Sequence, residues 1–501
     1  MEMHALLSGL EILACGGPAD VAVQEIVYDS RQAVPGSLFV AIKGLSTDGH
    51  LYIRDAAARG AVAVVMEREA ETPSGMAWVR VPDSRRALSH LAAAFYGHPA
   101  RRLKLVGVTG TNGKTTTAHL LAAMYRAAGQ RVGLIGTVEN RIGERVLPVT
   151  HTTPESLDLQ RLLAEMLEAG VTTVVMEVSS HALKLHRVAD CEFDRAVFTN
   201  LTQDHLDFHG TLEDYLEAKE GLFRGLAGGV KAGPKYAIIN RDDARAGRIL
   251  AASTGINVTY GFAPEADVRA EAVELGPRGS SFVVEGLGAR FPLRLRLPGR
   301  FNVANALAAC TVGLVEGLPV EVITEGLESV RGVPGRFEPV DCGQDFTVVV
   351  DYAHTPDGLE QVLRAARPLT AGRLMVVFGC GGDRDRTKRP RMGEVAARLA
   401  DFTVLTSDNP RSEEPLSIIE EIEAGYRVVR GHGYVVEPDR RAAIRRALEE
   451  ARSGDMVVIA GKGHETYQIV GQTRIPFDDR EVAAATLKEL LGGCRAEHEN
   501  R

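Results

Sequence analysis

The chain is poor in several features, and each shortage closes off a class of protein. Its six cysteines, Cys15, Cys191, Cys310, Cys342, Cys380 and Cys494, are scattered through 501 residues without a C-x-x-C pair. Neither a disulfide scaffold nor a zinc knuckle is therefore expected, and the thiols read as core fillers in a reducing compartment. No stretch approaches the roughly 18 uninterrupted apolar residues needed to cross a bilayer. Glu2, His4 and Glu11 stand where a secretory signal carries basic and then purely apolar residues, so a cytoplasmic protein with no membrane insertion is expected. There is no polybasic stripe and no RNA-binding aromatic motif, and the formal charge of -8 argues against a nucleic-acid partner. Internal repeats and low-complexity tracts are absent.

What remains is the composition of a soluble globular enzyme, with 45% apolar and 25% charged residues. At 501 residues the length exceeds one ordinary core, and about three modules are expected. Residues 1–97 carry short strand signals (26–28, 38–42, 62–66, 77–81) among alanine-rich helices and read as a small α/β domain that ends near His98 and Pro99. From Leu103 onward, continuous apolar runs at 132–135, 173–178, 196–201 and 236–240 alternate with helical stretches, the pattern of a parallel sheet covered on both faces. A second such series (347–351, 374–379, 403–406, 456–461) follows the stretch RGVPGR at 331–336, whose two glycines and proline suit a hinge. The expected division is 1–97, 98–331 and 332–501, all α/β. It has a central P-loop ATPase-type parallel sheet, flanked by the small N-terminal α/β domain and a C-terminal Rossmann-like domain.

Residues 107–117 read GVTGTNGKTTT directly after the apolar run 103–106. Strand, glycine loop and helix in that order make a polyphosphate cradle: Gly110 and Gly113 let the amides around Thr111 and Asn112 converge on phosphate oxygens. Lys114 adds a positive charge toward the β and γ groups, and the Thr115 hydroxyl, followed by Thr116, can ligate Mg²⁺ at a positive helix end. Helix capping alone would explain Gly110 and Thr111, but not Lys114 followed by three threonines. The usual G-x-x-x-x-G-K-[ST] form has glycine where Val108 stands, which narrows the family rather than dismissing the loop. ATP is the expected nucleotide.

The other polar motifs also follow apolar strands at their carboxyl ends, the edge where open α/β sheets bind ligands. Glu177 ends a buried strand in MEVSSH and His205 lies in NLTQDHLDFHG; with Thr115 they supply hard ligands suited to Mg²⁺. A zinc site on His205 and His209 is the weaker alternative, because the H-x-x-x-H spacing has no third ligand nearby. His181 and His209 taken singly read equally well as hydrogen-bonded structural histidines. Two sheet edges facing each other across the hinge would make a cleft with nucleotide on one wall and an acceptor on the other.

Taken together, GTNGKTTT, EVSSHAL, NLTQDHLDFHG, YLEAKEGLF, LPGRFNVANALAA and VDYAHTPDGLE resemble the Mur ligases, ATP-dependent amide-forming enzymes of peptidoglycan precursor synthesis. The resemblance covers nearly the whole chain. It implies that Lys219 in YLEAKEGLF is carbamylated by CO₂ and joins Thr115, Glu177 and His205 at the metal, whereas sequence alone reads Lys219 as a solvated helix lysine. It also implies Asn302, with Asn305, on the adenosine side of ATP, and Asp351 and His354 as C-terminal groups reaching the nucleotide. An aspartate ending a strand could equally cap the next helix. For a UDP-N-acetylmuramoyl dipeptide substrate it implies Ser30, Leu45, Ser46, Thr47, Thr152, Thr153, Ser179, Leu185 and Arg187, although Leu185 replaces a common glutamine and His151 an asparagine.

In the resembling family the run Asp408, Asn409, Pro410, Arg411 marks members that add meso-diaminopimelate. Read without the resemblance, Asn409 and Pro410 are a turn and Arg411 a surface charge. The chemistry agrees with the family reading: Arg411 and Arg384 can grip the distal carboxylate while Glu465, after Gly461 in GKGHE, pairs with the distal ammonium. Lysine has no distal carboxylate, which would leave the arginines unpaired. Catalysis is thus expected of Lys114, Lys219, Glu177 and His205, in a monomer using ATP, Mg²⁺ and a lysine carbamate. The rivals are a lysine-adding ligase, a folylpolyglutamate synthetase, and a nucleotide switch that makes no bond.

Overall fold

The computed structural model describes residues 1–44, 47–276 and 278–498. The chain divides into two compact units, Met1–Thr259 and Tyr260–Arg501. No helix among the described residues is long and apolar enough to cross a membrane.

The first unit opens with a five-stranded sheet. Its strands Glu25–Val27, Ser37–Val40, Ala63–Met66 and Ala77–Arg80 run parallel, and Ala14–Gly16 closes the far edge antiparallel to Ala77–Arg80. Alternate side chains feed two cores: Leu38 and Val40 pack on one face, Phe39 and Ala41 on the other. The same unit then builds a parallel sheet from Tyr236–Asn240, Arg195–Phe198, Lys104–Thr109, Thr173–Glu177 and Val132–Ile135, in that spatial order. Strand Lys104–Thr109 is central: Val108 pairs with Glu177 on one side, and Thr109 with Phe198 on the other. Three polar loops therefore leave the sheet side by side at one edge.

The second unit contains an antiparallel meander, Val268–Gly276, Gly279–Gly286 and Ala289–Leu295, packed on helix Arg300–Val315. It then forms a six-stranded sheet ordered Glu338–Pro339, Thr347–Asp351, Met456–Ala460, Leu374–Phe378, Phe402–Leu405 and Tyr434–Val436, parallel except for the first. Leu374, Val376 and Phe378 join one core while Met375 and Val377 join the other, so the strands are apolar throughout because both faces are covered.

Two sequence expectations are corrected here. The meander was missed: its middle strand buries Ser280, Phe282 and Val284 alternately, and a search for continuous apolar runs passes over such half-buried strands. The cysteines are not uniformly core fillers, since Cys191, Cys310 and Cys380 are buried but Cys15 is exposed and Cys342 half-buried.

Candidate active site

The glycine loop leaves strand Lys104–Thr109 and enters helix Lys114–Ala127. Gly110 and Gly113 have φ of +149° and +86°, and a Cβ on Gly110 would collide with Thr199 Oγ1. The loop is braced from the neighbouring strand end: Asn200 accepts from Asn112 N at 2.9 Å and donates to Asn112 O at 3.1 Å, and Thr199 Oγ1 donates to the same carbonyl at 2.7 Å. Thr111 is tied to Thr202 by a 3.0 Å bond, and Thr116 is buried on the helix.

Lys114 Nζ folds back on its own loop, donating to Gly110 O at 3.0 Å and Thr111 O at 2.7 Å. Lys219 Nζ donates to that same Gly110 carbonyl at 2.8 Å. The expectation of a solvated Lys219 is overturned: it is 1% exposed. Helix Leu212–Arg224 presents Tyr215, Leu216, Lys219, Leu222 and Phe223 inward, and Lys219 falls on that face. Its ammonium lies 4.4 Å from the Tyr215 ring centre. Burial, reinforced by the Lys114 charge, holds the Lys219 ammonium well below its ordinary 10.5.

Glu177 is 1% exposed and takes three donors: Thr115 Oγ1 at 3.0 Å, Thr137 N at 2.8 Å and Thr137 Oγ1 at 3.1 Å. Thr137 went unnoticed in the sequence, although it follows an apolar strand, Val132–Ile135, just as the recognised motifs do. His205 stands in an aromatic cluster with His181 at 4.8 Å and Tyr215 at 6.1 Å between ring centres, the same Tyr215 that faces Lys219 and meets Thr111 Oγ1 at 3.2 Å. Its φ of +53° is left-handed, an unusual conformation for a non-glycine residue that tends to mark functional loops. His209 Nε2 meets Ser180 Oγ at 3.0 Å. Among the described residues no three His, Cys, Asp or Glu side chains gather as a metal cluster.

Beside Glu177, Thr153 Oγ1 donates to its carbonyl at 2.8 Å and accepts from Ser179 N at 3.1 Å; Thr152 Oγ1 meets Thr137 Oγ1 at 3.1 Å. Ser179 caps helix Ser180–Lys184, and Leu185 ends it. Arg187 donates to Thr153 O at 3.0 Å and lies 3.4 Å from Glu155. Ser30 is buried at the start of a short turn, and Thr47 donates to Tyr52 Oη at 3.3 Å. Leu45 and Ser46 lie outside the described residues.

In the second unit, Asn302 Nδ2 donates to Pro298 O at 2.8 Å and Asn305 Nδ2 to Asn302 Oδ1 at 3.2 Å, both buried. Asp351 is not a helix cap. It accepts from Phe337 N at 2.7 Å and Ala353 N at 2.8 Å, and burial pushes its carboxyl up; Thr355 caps the next helix instead. His354 Nδ1 meets Tyr352 O at 2.8 Å.

The remaining loops share one edge of the six-stranded sheet. Arg411 has φ of +52° and donates to Gly382 O at 2.8 Å, while the exposed Arg384 donates to Asp383 O at 2.9 Å. Asp408 Oδ1 accepts from Asn409 N at 2.7 Å, and Pro410 is buried between them and Arg411. Glu465 Oε2 accepts from Asn409 Nδ2 at 2.9 Å and from Lys462 Nζ at 3.0 Å. Lys462 is a further residue that sequence reading missed.

A glycine phosphate loop at the edge of a parallel sheet, with two lysines aimed at it, defines a nucleotide-dependent enzyme class. Three family models match in order: "Mur ligase family, catalytic domain" over residues 22–96, "Mur ligase middle domain" over 108–313, and "Mur ligase, glutamate ligase domain" over 335–463. The chain belongs to the Mur ligase family. It is 50% identical over 493 residues to the UDP-N-acetylmuramoyl-L-alanyl-D-glutamate--2,6-diaminopimelate ligase of Geobacillus thermodenitrificans, covering 98% of this chain and 100% of the relative. It is 48% identical over 489 residues to the ligase of the same name from Caldanaerobacter subterraneus subsp. tengcongensis, covering 98% and 99%. A solved structure of a UDP-N-acetylmuramoyl-L-alanyl-D-glutamate--2,6-diaminopimelate ligase matches with a TM-score of 0.69 at 34% identity, covering 98% of this chain and 99% of the other.

Proposed function

We propose that this chain is an ATP-dependent ligase that joins meso-diaminopimelate to UDP-N-acetylmuramoyl-L-alanyl-D-glutamate, acting as a cytoplasmic monomer built of modules 1–97, 98–331 and 332–501. The observation that carries the chemistry is the convergence of Lys114 and Lys219 on the Gly110 carbonyl. Two cationic side chains aimed at one point of a glycine loop make a site waiting for anions. The relatives' shared name, at about half identity over nearly the full length, supplies the substrate class.

In this reading a γ-carboxylate oxygen of the substrate's D-glutamate attacks the γ-phosphorus of ATP, ADP leaves, and an acyl phosphate forms. The amine of diaminopimelate then attacks the acyl carbon, phosphate leaves, and the nitrogen loses a proton. Lys114, swung from Gly110 O and Thr111 O to the phosphates, offsets the charge building on the transferred group. The amides at the start of helix Lys114–Ala127 are assigned to the β-phosphate, since those of Thr111 and Asn112 are bonded to Asn200 O and Oδ1. Thr115 and Glu177 offer hard oxygens 3.0 Å apart, a donor set that suits Mg²⁺, which when bound would neutralise phosphate charge there. His205 belongs to the same expected set.

Lys219 has the chemistry a carbamate requires. Only the neutral amine attacks CO₂, with loss of a proton, and burial together with the Lys114 charge shifts Lys219 toward that form. Thr152, Thr153, Ser179 and Arg187 line the edge beside Glu177 and suit an anionic nucleotide-sugar peptide, with Ser30 and Thr47 toward the uridine. Leu185, half-buried at its helix end, contributes only apolar contact. Asn302, Asp351 and His354 are assigned to the nucleotide. Asp408, Asn409, Arg411, Arg384, Gly461 and Glu465 are assigned to the amino acid, with the arginines for its distal carboxylate.

The test is ADP release with the UDP-dipeptide and a panel of amino acids. Turnover with diaminopimelate and little with lysine or glutamate is expected; ADP release indifferent to any amino acid would overturn the reading. Heavy oxygen placed in the γ-carboxylate should emerge in inorganic phosphate, and sedimentation at working concentration tests the monomer.

A further inference from the structure

Lys462 stands between two glycines that hold it inward. Gly461 and Gly463 have φ of +116° and +52°, and a Cβ on them would lie 2.7 Å from Asp408 Oδ2 and 2.7 Å from Tyr352 Cβ respectively. Between these constraints the lysine side chain has no exposure at all, and its ammonium sits 5.5 Å from the Tyr467 ring centre. A buried ammonium must find partners. Lys462 Nζ donates to Asn409 Oδ1 at 3.1 Å and to Glu465 Oε2 at 3.0 Å.

These bonds fix two side chains at once. Asn409 Oδ1 also accepts from Ile469 N at 2.9 Å, so two donors meet that atom and the amide nitrogen must face Glu465, where it donates to Oε2 at 2.9 Å. Glu465 Oε2 therefore receives two donors, whereas no described residue reaches Oε1. The local charges are Lys462 against Glu465 and the buried Asp408, which opens the same loop.

We propose that Lys462 is a positioning residue for amino-acid selection: by occupying Oε2 of Glu465 and locking the Asn409 amide, it leaves Glu465 Oε1 as the acceptor for the distal ammonium of a diamino acid. This rests on the reading of the chain as a diaminopimelate ligase. Lys462 does not touch the substrate; it sets the direction of the carboxylate that does. Arg411 and Arg384 read the distal carboxylate separately, so recognition of the two distal groups can be uncoupled by experiment.

The probe is 2-aminopimelate, which keeps the chain length and distal carboxylate of diaminopimelate but lacks the distal ammonium. The ratio of kcat/KM for the two acids is compared in the wild-type chain, Lys462→Met and Lys462→Gln. A charged hydrogen bond corresponds to roughly tenfold to hundredfold, so the wild type should favour diaminopimelate by that order and the variants should lose at least about tenfold of the preference. KM for ATP and for the UDP-dipeptide should stay within about twofold, which separates positioning from general damage to the fold. An active variant that keeps the wild-type ratio overturns the proposal alone; a wild-type chain that ignores diaminopimelate overturns the functional reading beneath it. Should both variants fail to fold, a crystal structure of the unmodified chain with diaminopimelate decides. The ammonium on Oε1 with the Lys462–Glu465 contact intact is expected, and an ammonium on Oε2 or a broken contact overturns the proposal.

Discussion

Lys114 and Lys219, 105 positions apart in sequence, both donate to the carbonyl of Gly110, at 3.0 and 2.8 Å. Two ammonium groups meeting on one neutral acceptor repel each other. Burial and the Lys114 charge together depress Lys219. Converting Lys219 to a carbamate would reverse the sign of one member and turn that repulsion into attraction. Lys219→Ala is expected to abolish ligation, with at least about a thousandfold loss of kcat on the scale of a lost electrostatic group, while circular dichroism stays native. Removing CO₂ from the buffer should slow the wild-type chain and bicarbonate restore it. Near wild-type turnover by the alanine variant would retire the carbamate.

Glu177 binds Thr115 and both donors of Thr137 in a fully buried position. Thr115→Ala removes one of those three hydrogen bonds, costing about 1 kcal/mol of stability, but it also removes a hard oxygen from the expected metal set. The Mg²⁺ concentration for half-maximal ADP release should rise severalfold, with little change in KM for diaminopimelate. Unchanged Mg²⁺ dependence would show that this hydroxyl is structural.

Both parallel sheets and their loop edges were legible because strands covered on two faces are continuous apolar runs and end abruptly in polar motifs. Strands Val132–Ile135, Tyr236–Asn240 and Thr347–Asp351 begin and end where the runs do. The meander at 268–295 was hidden by its alternation. Lys219 and Lys462 were hidden for a different reason: a lysine on an amphipathic helix or between two glycines carries no local sign that tertiary packing will bury it. Leu45 and Ser46 lie outside the described residues.

Arg411 is half-buried, left-handed and tied to Gly382 O. Holding a guanidinium in a strained loop makes sense where its remaining N–H groups have a ligand to meet. Arg411→Ala should raise KM for diaminopimelate by tenfold or more while leaving KM for ATP unchanged, and the preference over lysine should shrink. An unaltered preference would remove the arginine from selection.

His464 gives a pH dependence with a definite sign. Burial first, then the charges of Arg336, Arg480, His354 and Lys462, lower it from 6.5 to about 4, and its ring lies 4.9 Å from that of Tyr352. As pH falls below 6.5 the unfolded chain takes up the proton before the folded one does, so stability drops between about 6.5 and 4, by at most about 1.4 kcal/mol per pH unit. His464→Gln should flatten that part of the denaturation-against-pH curve. A slope identical to wild type would mean that other groups account for it.

Arg440 and Asp479 form a pair with no exposure on either side, bonded at 2.7 Å from Nε to Oδ1 and 2.7 Å from Nη2 to Oδ2. The same guanidinium donates to Ser407 O at 3.2 Å and Ala460 O at 3.0 Å, the residues immediately before Asp408 and Gly461. One cation thus pins together the two strand ends from which the amino-acid loops depart, and Asp479 keeps it charged and oriented. Removing only the acid strands a buried cation, whereas removing both members does not. Asp479→Asn is expected to cost about 3–5 kcal/mol in urea denaturation, and the double change Arg440→Met with Asp479→Leu substantially less. Because the double variant frees the two strand ends while sparing the core, it should still raise KM for diaminopimelate. A double variant with wild-type KM would confine the pair to stability and leave the loops self-supporting.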